Sequence, residues 1–233
     1  MGYYPIFVEL NGKRCLVVGG GNVGLQKVGG LLAAGAALTL VSPDLHPELQ
    51  KLHDDGRFRW LARDYASGDV DGYDLVMVAT DDGAINATVA AEARARKIWV
   101  NSADDVPNCD FILPSVVRKG QIVVCASTGG ASPALARRLR EELDAYLDDD
   151  FPALANLLAE VRRELRARGL VPDAEIWQQA ITGQVRVLVA QRRVGQAKAL
   201  LLKGLGVGID PAPLDAELAG VPLPALSALG RSA

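Results

Sequence analysis

Short apolar runs alternate with segments of helical periodicity along the first hundred residues of the chain. The alanine-rich segment 85–96 has apolar residues three and four positions apart, the spacing of one helix face. The apolar runs predicted as strands are 15–18, 37–41, 57–61, 74–79 and 98–100. Strands that alternate with helices in this way predict a parallel sheet covered on both faces. A further aromatic and β-branched run, 3–10, ends at the turn pair Asn11-Gly12 and predicts an additional edge strand.

The pattern changes after residue 110. Lys119-Gly120 lies between two β-rich runs and predicts a hairpin turn, so the short runs here should pair antiparallel: 111–113, 116–118 and 121–126. Ser132 and Pro133 are typical of a helix start. From there the predicted elements are helices at 134–147, 152–168, 174–193 and 195–202, followed from Gly204 by a tail with little periodicity.

The elements together predict an α/β fold. We expect a Rossmann-type parallel sheet in residues 1–113, a small β-rich segment in 114–150 and a helical C-terminal domain in 151–233. A chain of 233 residues is long enough for such an arrangement.

A glycine-rich turn joins the first of the predicted parallel strands to its helix. Gly19, Gly21 and Gly24 fit the pattern G-x-G-x-x-G. The first glycine permits a tight turn, the second lets a pyrophosphate approach the backbone, and the third lets the helix pack closely on the strand. The N–H groups of Asn22 and Val23, at the helix start, would bind the phosphates. The motif, flanked by a strand and a helix, predicts a dinucleotide site.

An acidic residue follows this motif at the spacing expected for a ribose contact. Asp44 lies twenty positions after Gly24, where a carboxylate would accept a hydrogen bond from an adenosine ribose hydroxyl. A helix cap is an equal reading of Asp44, since Ser42-Pro43-Asp44 also suits a helix start. No Arg or Lys occupies 42–46, so nothing local would bind a 2′-phosphate. The expected cofactor is therefore NAD rather than NADP.

Four loops should meet at one edge of the predicted sheet, because ligands of such sheets bind beyond the carboxyl ends of the strands. They are the Gly19 turn, 42–44, 80–82 and 101–105. Thr80 and Asp104 stand in two of these loops, and Thr80 is an expected contact of the cofactor. Asp104 has two readings from the residues alone: a turn residue in the segment 103–107, or a carboxylate that acts on a ligand in the crevice.

Charge and composition exclude several classes of function. The formal net charge of −3 and the pI of about 5.5 argue against a nucleic-acid-binding surface. The three cysteines, Cys15, Cys109 and Cys125, form no C-x-x-C pair, which favours a reducing cytoplasmic setting over a disulfide or zinc framework. The apolar stretch 31–41 is too short for a membrane span, and the first residues lack the features of a signal peptide. The two histidines alone predict no metal site.

Several stretches, in this order and spacing, resemble the precorrin-2 dehydrogenase family, the dehydrogenase module of sirohaem synthase. They are YYPIFVEL-NGKRCLVVGGGNVG from Tyr3, ATDD from Ala79, N-x-x-D from Asn101, FILPS from Phe111 and STGGASPALARRLRE from Ser127. The resemblance implies a homodimer that transfers hydride from precorrin-2 to NAD+ and forms sirohydrochlorin, with 114–150 as the dimerisation segment. Some members also act as sirohydrochlorin ferrochelatase, and no feature of the sequence decides that question.

The resemblance also assigns roles to residues. It places the ribose contact at Pro43 and Asp44, and it makes Asp104 the expected general base, with Asp105 as the alternative. The loop 127–132 has two readings from the residues themselves: a plain strand-to-helix turn followed by solvated arginines, or a site whose N–H groups at a helix start bind the substrate's acetate and propionate groups. In the second reading the expected contacts are Ser127, Thr128, Gly129, Gly130 and Arg137, with Arg138 and Lys119 as further cations. In some relatives a serine at the position of Thr128 is phosphorylated.

A second class of function fits part of the same sequence. A non-catalytic NAD-sensing module needs only the Gly19 turn and an acidic ribose contact. It has no reason to carry the region 111–141, which therefore favours the enzyme.

Overall fold

The computed structural model describes residues 2–103 and 105–207 of the chain. The chain divides into two compact units, Met1–Leu113 and Pro114–Ala233, called here the N-terminal and the C-terminal unit. Asp104 and the predicted tail from residue 208 onward lie outside the described residues.

The N-terminal unit is built on the predicted parallel sheet. Its strands are β1 (Arg14–Val18), β2 (Ala37–Val41), β3 (Arg59–Leu61), β4 (Leu75–Val78) and β5 (Trp99–Ser102). They lie in the order β3-β2-β1-β4-β5, and all pairs are parallel. The helices between them are α1 (Asn22–Ala33), α2 (Pro47–Asp54) and α3 (Gly83–Ala95). The chain order reverses between β1 and β4, so the carboxyl ends of these strands flank the ligand crevice typical of this topology.

Alternate side chains of each strand bury against opposite layers of helices. Leu16 and Val18 of β1 pack in a cluster that contains Val89 of α3. Val17 packs in a second cluster that contains Val28 of α1 and residues of α2. Because both faces of the sheet are covered, β1 is apolar at every position from Cys15 to Val18, as parallel strands generally are. This confirms the predicted fold class.

Two expected strands are absent from the described residues. The run 2–10 has no regular structure, and Tyr4 and Phe7 are 87% and 76% exposed. Pro5 cannot donate to a strand ladder, which disfavours pairing at a sheet edge. The turn that follows did form, with Gly12 at φ +71. The run 111–113 is also irregular, and the carbonyl of Phe111 accepts a hydrogen bond from the Asn101 side chain instead (2.9 Å).

The C-terminal unit begins with the expected antiparallel hairpin and continues in helices. The hairpin pairs β6 (Ser115–Lys119) with β7 (Ile122–Ala126) through Gly120 at φ +57. The helices are α4 (Pro133–Tyr146), α5 (Asp150–Ala167), α6 (Ala174–Ala180), α7 (Gly183–Ala190) and α8 (Val194–Gly204). The single helical segment expected at 174–193 is two helices, because the Thr182 hydroxyl accepts from the Val185 N–H and starts α7.

The helical core of the C-terminal unit is one cluster formed by α5, α6, α7 and α8 and the turn after α8. Its members include Val161, Leu188 and Leu201, all fully buried. Across residues 2–103 and 105–207, no helix combines the length and the apolar character needed to cross a membrane.

Candidate functional site

Two of the three motif glycines are required by the shape of the turn between β1 and α1. Gly19 has φ +108, and a Cβ built there would lie 2.3 Å from the carbonyl oxygen of Ala79. A Cβ on Gly24 would lie 2.2 Å from the carbonyl oxygen of Gly19. Because neither carbonyl belongs to a flexible side chain, any larger residue would force the backbone apart.

The middle glycine has a different surrounding. Gly21 is the N-cap of α1, has φ −82, and a Cβ on it would meet nothing within 4 Å. Among the described residues no side chain caps α1, whereas the cap residues of α2, α3 and α4 (His46, Asp82 and Ser132) each accept a backbone N–H. The first N–H groups of α1, at Asn22 and Val23, are therefore not satisfied by a capping side chain, and the space beside Gly21 is open. This is the arrangement that a dinucleotide pyrophosphate needs.

The loop after β2 is held against the glycine turn. A Cβ on Gly20 would lie 2.2 Å from the Asp44 carbonyl oxygen, and the His46 N–H donates to the Gly20 carbonyl (2.8 Å). The Ser42 hydroxyl donates to the Asp44 carbonyl (2.6 Å). Pro43 and Asp44 are exposed at this point. The structure thus brings Gly21, Pro43 and Asp44 to one edge of the sheet.

The alternative reading of Asp44 as a helix cap is not what the structure contains. His46 is the N-cap of α2, and its Nδ1 accepts from the Glu48 N–H (3.2 Å). The Asp44 carboxylate makes no hydrogen bond or ion pair with any described residue. It is therefore available to a ligand.

The loop after β4 is fixed by Thr80. Its hydroxyl donates to the Asn86 Oδ1 (2.5 Å) and accepts from the Asp82 N–H (3.3 Å), while the Asn86 Nδ2 donates to the Thr80 carbonyl (3.1 Å). Asp82 caps α3, as the sequence predicts. The Thr80 backbone nitrogen would lie 3.1 Å from a Cβ on Gly19, so this loop borders the glycine turn directly.

The loop after β5 carries the expected base, and its two ends are tied together. Asp104 itself lies outside the described residues. The Cys109 thiol donates to the Ser102 carbonyl (3.0 Å) and accepts from the Ser102 N–H (3.2 Å). The Asp110 N–H donates to the Val100 carbonyl (2.8 Å). Burial raises the pKa of Cys109, so the thiol keeps the proton that it donates.

Asp105, the alternative base, has a structural role in this loop. Its carboxylate accepts from the Asn108 Nδ2 (2.7 Å), and its carbonyl accepts from the Asn108 N–H (3.0 Å). These contacts use the carboxylate inside the loop, which leaves it less suited to accept a proton from a ligand than a free carboxylate would be.

Lys27 was missed by the sequence reasoning. Its ammonium donates to the Asn101 Oδ1 (3.0 Å) at the carboxyl end of β5, and the Asn101 side chain is buried. The feature of the sequence that could have identified Lys27 is its place on the face of α1 that also holds the buried residues Gly24, Val28 and Leu31. A cation at that helical spacing indicates a specific polar partner.

The second glycine-rich loop, in the C-terminal unit, is held by its own side chains. The Thr128 hydroxyl donates to the Ser132 carbonyl and accepts from the Ser132 N–H, both at 3.1 Å. The Ser127 hydroxyl accepts from the Gly129 N–H (3.1 Å). Gly129 and Gly130 both have positive φ, +63 and +91, and open space around them. Ser132 caps α4, as predicted, through the Leu135 N–H (3.2 Å).

The cations expected beside this loop differ in their partners. Arg137 is exposed and makes no ion pair with a described residue, whereas Arg138 pairs with Glu142 (2.7 Å) and Lys119 with Asp144 (3.2 Å). Arg137 is thus the one of the three that has no carboxylate to release before it binds an anion.

The residues 2–103 and 105–207 contain no group of three or more His, Cys, Asp or Glu placed to hold a metal ion. The two histidines have local roles. His46 caps α2, and the His53 ring lies against Phe58 and Trp60 with ring centroids 5.7 and 5.5 Å away.

Comparison with known proteins adds to this geometry. A family model described as "Putative NAD(P)-binding" matches residues 6–115, and one described as "Sirohaem biosynthesis protein central" matches 121–146. The sirohaem synthase of Methylococcus capsulatus is 38% identical over 87% of this chain and 43% of its own length, and that of Photorhabdus laumondii is 38% identical over 94% and 46%. The chain therefore spans less than half the length of these curated relatives.

A solved structure described as "SirC, precorrin-2 dehydrogenase" matches with a TM-score of 0.69 and 28% identity. The match covers 88% of this chain and 99% of that one. Unlike the sirohaem synthases, this neighbour is matched along almost its whole length, which includes both units.

Proposed function

We propose an activity from the premise that the chain belongs to the family of precorrin-2 dehydrogenases and sirohaem synthases. The proposed reaction is the NAD-dependent dehydrogenation of precorrin-2 to sirohydrochlorin. A hydride leaves a ring carbon for the nicotinamide, a proton leaves the substrate for a base on the protein, and the products are sirohydrochlorin, NADH and a proton. The observation that carries the proposal is the likeness of both units to a precorrin-2 dehydrogenase of nearly the same extent.

NAD, when bound, supplies the hydride acceptor. The N–H groups of Asn22 and Val23, beside the open space at Gly21, would hold its pyrophosphate. The exposed Asp44 carboxylate would accept hydrogen bonds from the adenosine ribose. The absence of Lys and Arg from 42–46 supports NAD over NADP.

Asp104 is the proposed general base. Its role needs a carboxylate within hydrogen-bond reach of the substrate while the hydride leaves. The Cys109 thiol and the Asp110 backbone tie the described residues that follow Asp104 to Ser102 and Val100 of β5. Contacts that fix these neighbouring residues in advance reduce the entropy lost when the substrate is aligned.

The glycine loop of the C-terminal unit is the proposed site for the substrate's carboxylates. Positive φ at Gly129 and Gly130 lets the backbone turn without side chains, so a carboxylate can approach closely. Arg137, which has no ion pair among the described residues, would neutralise one carboxylate of the tetrapyrrole. Ser127 and Thr128 shape the loop through their hydroxyls.

The proposed working form is a cytoplasmic homodimer in which residues 114–150 pair two copies. Helix α4 supports this, because none of its residues is buried although Leu135, Leu139 and Leu143 follow one another at intervals of four. Leu135 is 51% exposed. Three free cysteines among the described residues support a reducing compartment.

An anaerobic assay tests the proposal by following NADH and sirohydrochlorin absorbance together, with wild type, Asp104→Asn and Asp105→Asn side by side. We expect wild-type turnover, and a fall in kcat on the order of 10²- to 10⁴-fold in Asp104→Asn with the Kd for NAD+ unchanged. Asp105→Asn is the matched control, because the Asp105 carboxylate already accepts a hydrogen bond from Asn108, and its kcat should fall much less.

Each other outcome has a definite meaning. Equal losses in the two variants would refute the assignment to Asp104 alone, and a larger loss in Asp105→Asn would assign the role of base to Asp105. NAD+ binding without turnover in wild type would contradict the dehydrogenase and favour a non-catalytic NAD-sensing module.

A further inference from the structure

The C-terminal unit contains a groove that the proposed reaction does not use. It has a volume of about 1080 Å³ and lies between α5, α6 and the turn 170–172. Ala155 and Ala159 on α5 line it with small side chains, and Leu158, Trp177 and Ile181 line it with large apolar ones. A groove of this size and character is typical of a binding site rather than of a packing defect.

Three arginines give the groove a positive charge. Arg162, Arg163 and Arg166 line it, are exposed, and make no ion pair with any described residue. Neighbouring cations are already neutralised: Arg168 pairs with Glu164 (3.6 Å), and Lys198 pairs with Glu160 and Glu164 (2.8 and 2.9 Å). An occupant that is both apolar and acidic would complement this surface.

Apolar side chains next to the arginines are exposed. Leu170 and Val171, which also line the groove, are 42% and 81% exposed. Covering them would remove apolar surface from water, at about 25 cal/mol for each Å². The groove therefore favours a peptide segment with leucine-like side chains over a small hydrophilic anion.

The chain itself contains such a segment in residues 208–233. It carries three acidic residues, Asp210, Asp215 and Glu217, against one basic residue, Arg231, and its other residues are mostly Ala, Leu and Pro. We propose that residues 208–233 dock in this groove, with the acidic side chains on Arg162 and Arg166.

The end of the described chain packs on the core cluster that also contacts groove-lining residues. Val207 packs on the same core cluster as Trp177 and Ile181, and a Cβ on Gly204 would lie 3.0 Å from the Cβ of Ala180, the residue before Ile181. Asp210 follows Val207 by three residues, a reach of about 10 Å when extended. A short connection of this kind gives an effective concentration in the millimolar range, so a weak interaction would suffice.

A peptide added in trans tests the proposal. The protein is prepared as the full chain and as a chain that ends at Val207, which keeps every residue of the core cluster between Leu154 and Leu205. A fluorescent peptide of residues 208–233 should bind the shortened chain, more weakly at high salt, and should not bind the full chain, whose groove is already occupied.

Charge variants test whether peptide binding depends on the arginines that line the groove. Arg162→Gln with Arg166→Gln in the shortened chain should weaken peptide binding at least tenfold, and Arg168→Gln, at the C-cap of the same helix and paired with Glu164, is the matched control. A reversed pair, Arg166→Glu with a peptide carrying Asp215→Lys and Glu217→Lys, should recover binding.

The proposal is overturned if the peptide binds both forms of the protein equally, because the groove of the full chain would then be free. It is also overturned if the arginine variants and the Arg168 control behave alike. Sedimentation showing that the full chain dimerises through this segment would assign the groove to a second copy instead. Should the shortened chain not fold, acrylamide quenching of the full chain decides, with Trp60→Phe and Trp99→Phe in place so that the fluorescence reports Trp177, since the double arginine variant should expose that ring. None of these readouts depends on dehydrogenase activity.

Discussion

Alanine substitution of two motif glycines, Gly21 and Gly24, should separate a steric requirement for glycine from a requirement for ligand binding. A Cβ on Gly21 meets nothing within 4 Å, so Gly21→Ala should change the free energy of unfolding by less than about 1 kcal/mol, the scale of an N-cap substitution. The added methyl group would occupy the space where a pyrophosphate approaches. Loss of one charge-assisted hydrogen bond, worth about 1.5–3 kcal/mol, corresponds to an increase in the Kd for NAD+ of roughly 10- to 100-fold.

Gly24→Ala should show the opposite balance. The new Cβ would lie 2.2 Å from the Gly19 carbonyl oxygen, and ordinary contact begins at 3.4 Å, so the backbone must move by about 1.2 Å. Overpacking of this kind costs about 1–3 kcal/mol. Gly29→Ala is the matched control, because it lies inside the same helix with nothing within 4 Å, and it should stabilise the helix by about 0.5–1 kcal/mol without changing NAD+ affinity.

Calorimetric titration with NAD+ and thermal unfolding of the same preparations provide the two measurements. The reasoning is refuted if Gly21→Ala binds NAD+ as tightly as Gly29→Ala, since the dinucleotide would then not approach the backbone at Gly21. A loss of stability in Gly21→Ala equal to that in Gly24→Ala would show that the space beside Gly21 is not open.

Two further predictions concern the N-terminal unit. Cys109→Ala removes both thiol contacts to Ser102 and should lower kcat of the proposed dehydrogenation about tenfold, with an unchanged Kd for NAD+. Cys109→Ser, which can still form hydrogen bonds, should recover part of the rate. An Ala variant with full kcat would contradict a role of Cys109 in positioning the loop. The pKa of Glu92 is held below its ordinary value of 4.5, first by the Gly68 N–H and also by the Tyr65 hydroxyl. The ionised Glu92 carboxylate therefore stabilises the fold above pH of about 4.5, and this stabilisation is lost as the pH falls through the lowered pKa of the folded state. Glu92→Gln should reduce the free energy of unfolding by about 1–2 kcal/mol at pH 7 and by progressively less below pH of about 4.5. Urea unfolding at several pH values would measure this difference. A cost that does not vary with pH would contradict this account.

The sequence was sufficient for the elements whose cause is local. Apolar runs without polar interruption determined β1 from Cys15 onward and β4, and the run of β2 is interrupted only by Thr39, because strands buried on both faces need mostly apolar side chains. The cap residues Asp82 and Ser132 also follow from local chemistry, since their side chains reach N–H groups only two or three residues ahead. The glycine motif also has a local cause, and its spacing alone indicated the turn.

Other features depend on residues distant in sequence, and only the tertiary structure decided them. The composition of 2–10 suits a strand, but Pro5 and the exposure of Tyr4 and Phe7 show that β propensity without a partner edge is not enough. The contact of Lys27 with Asn101 joins residues 74 positions apart, and no local pattern specifies it. Likewise, the sequence left Asp44 open between a helix cap and a ligand contact. The observed cap by His46, together with the approach of the Asp44 loop to Gly20, depends on how β1 and β2 pair, which is a property of the folded sheet.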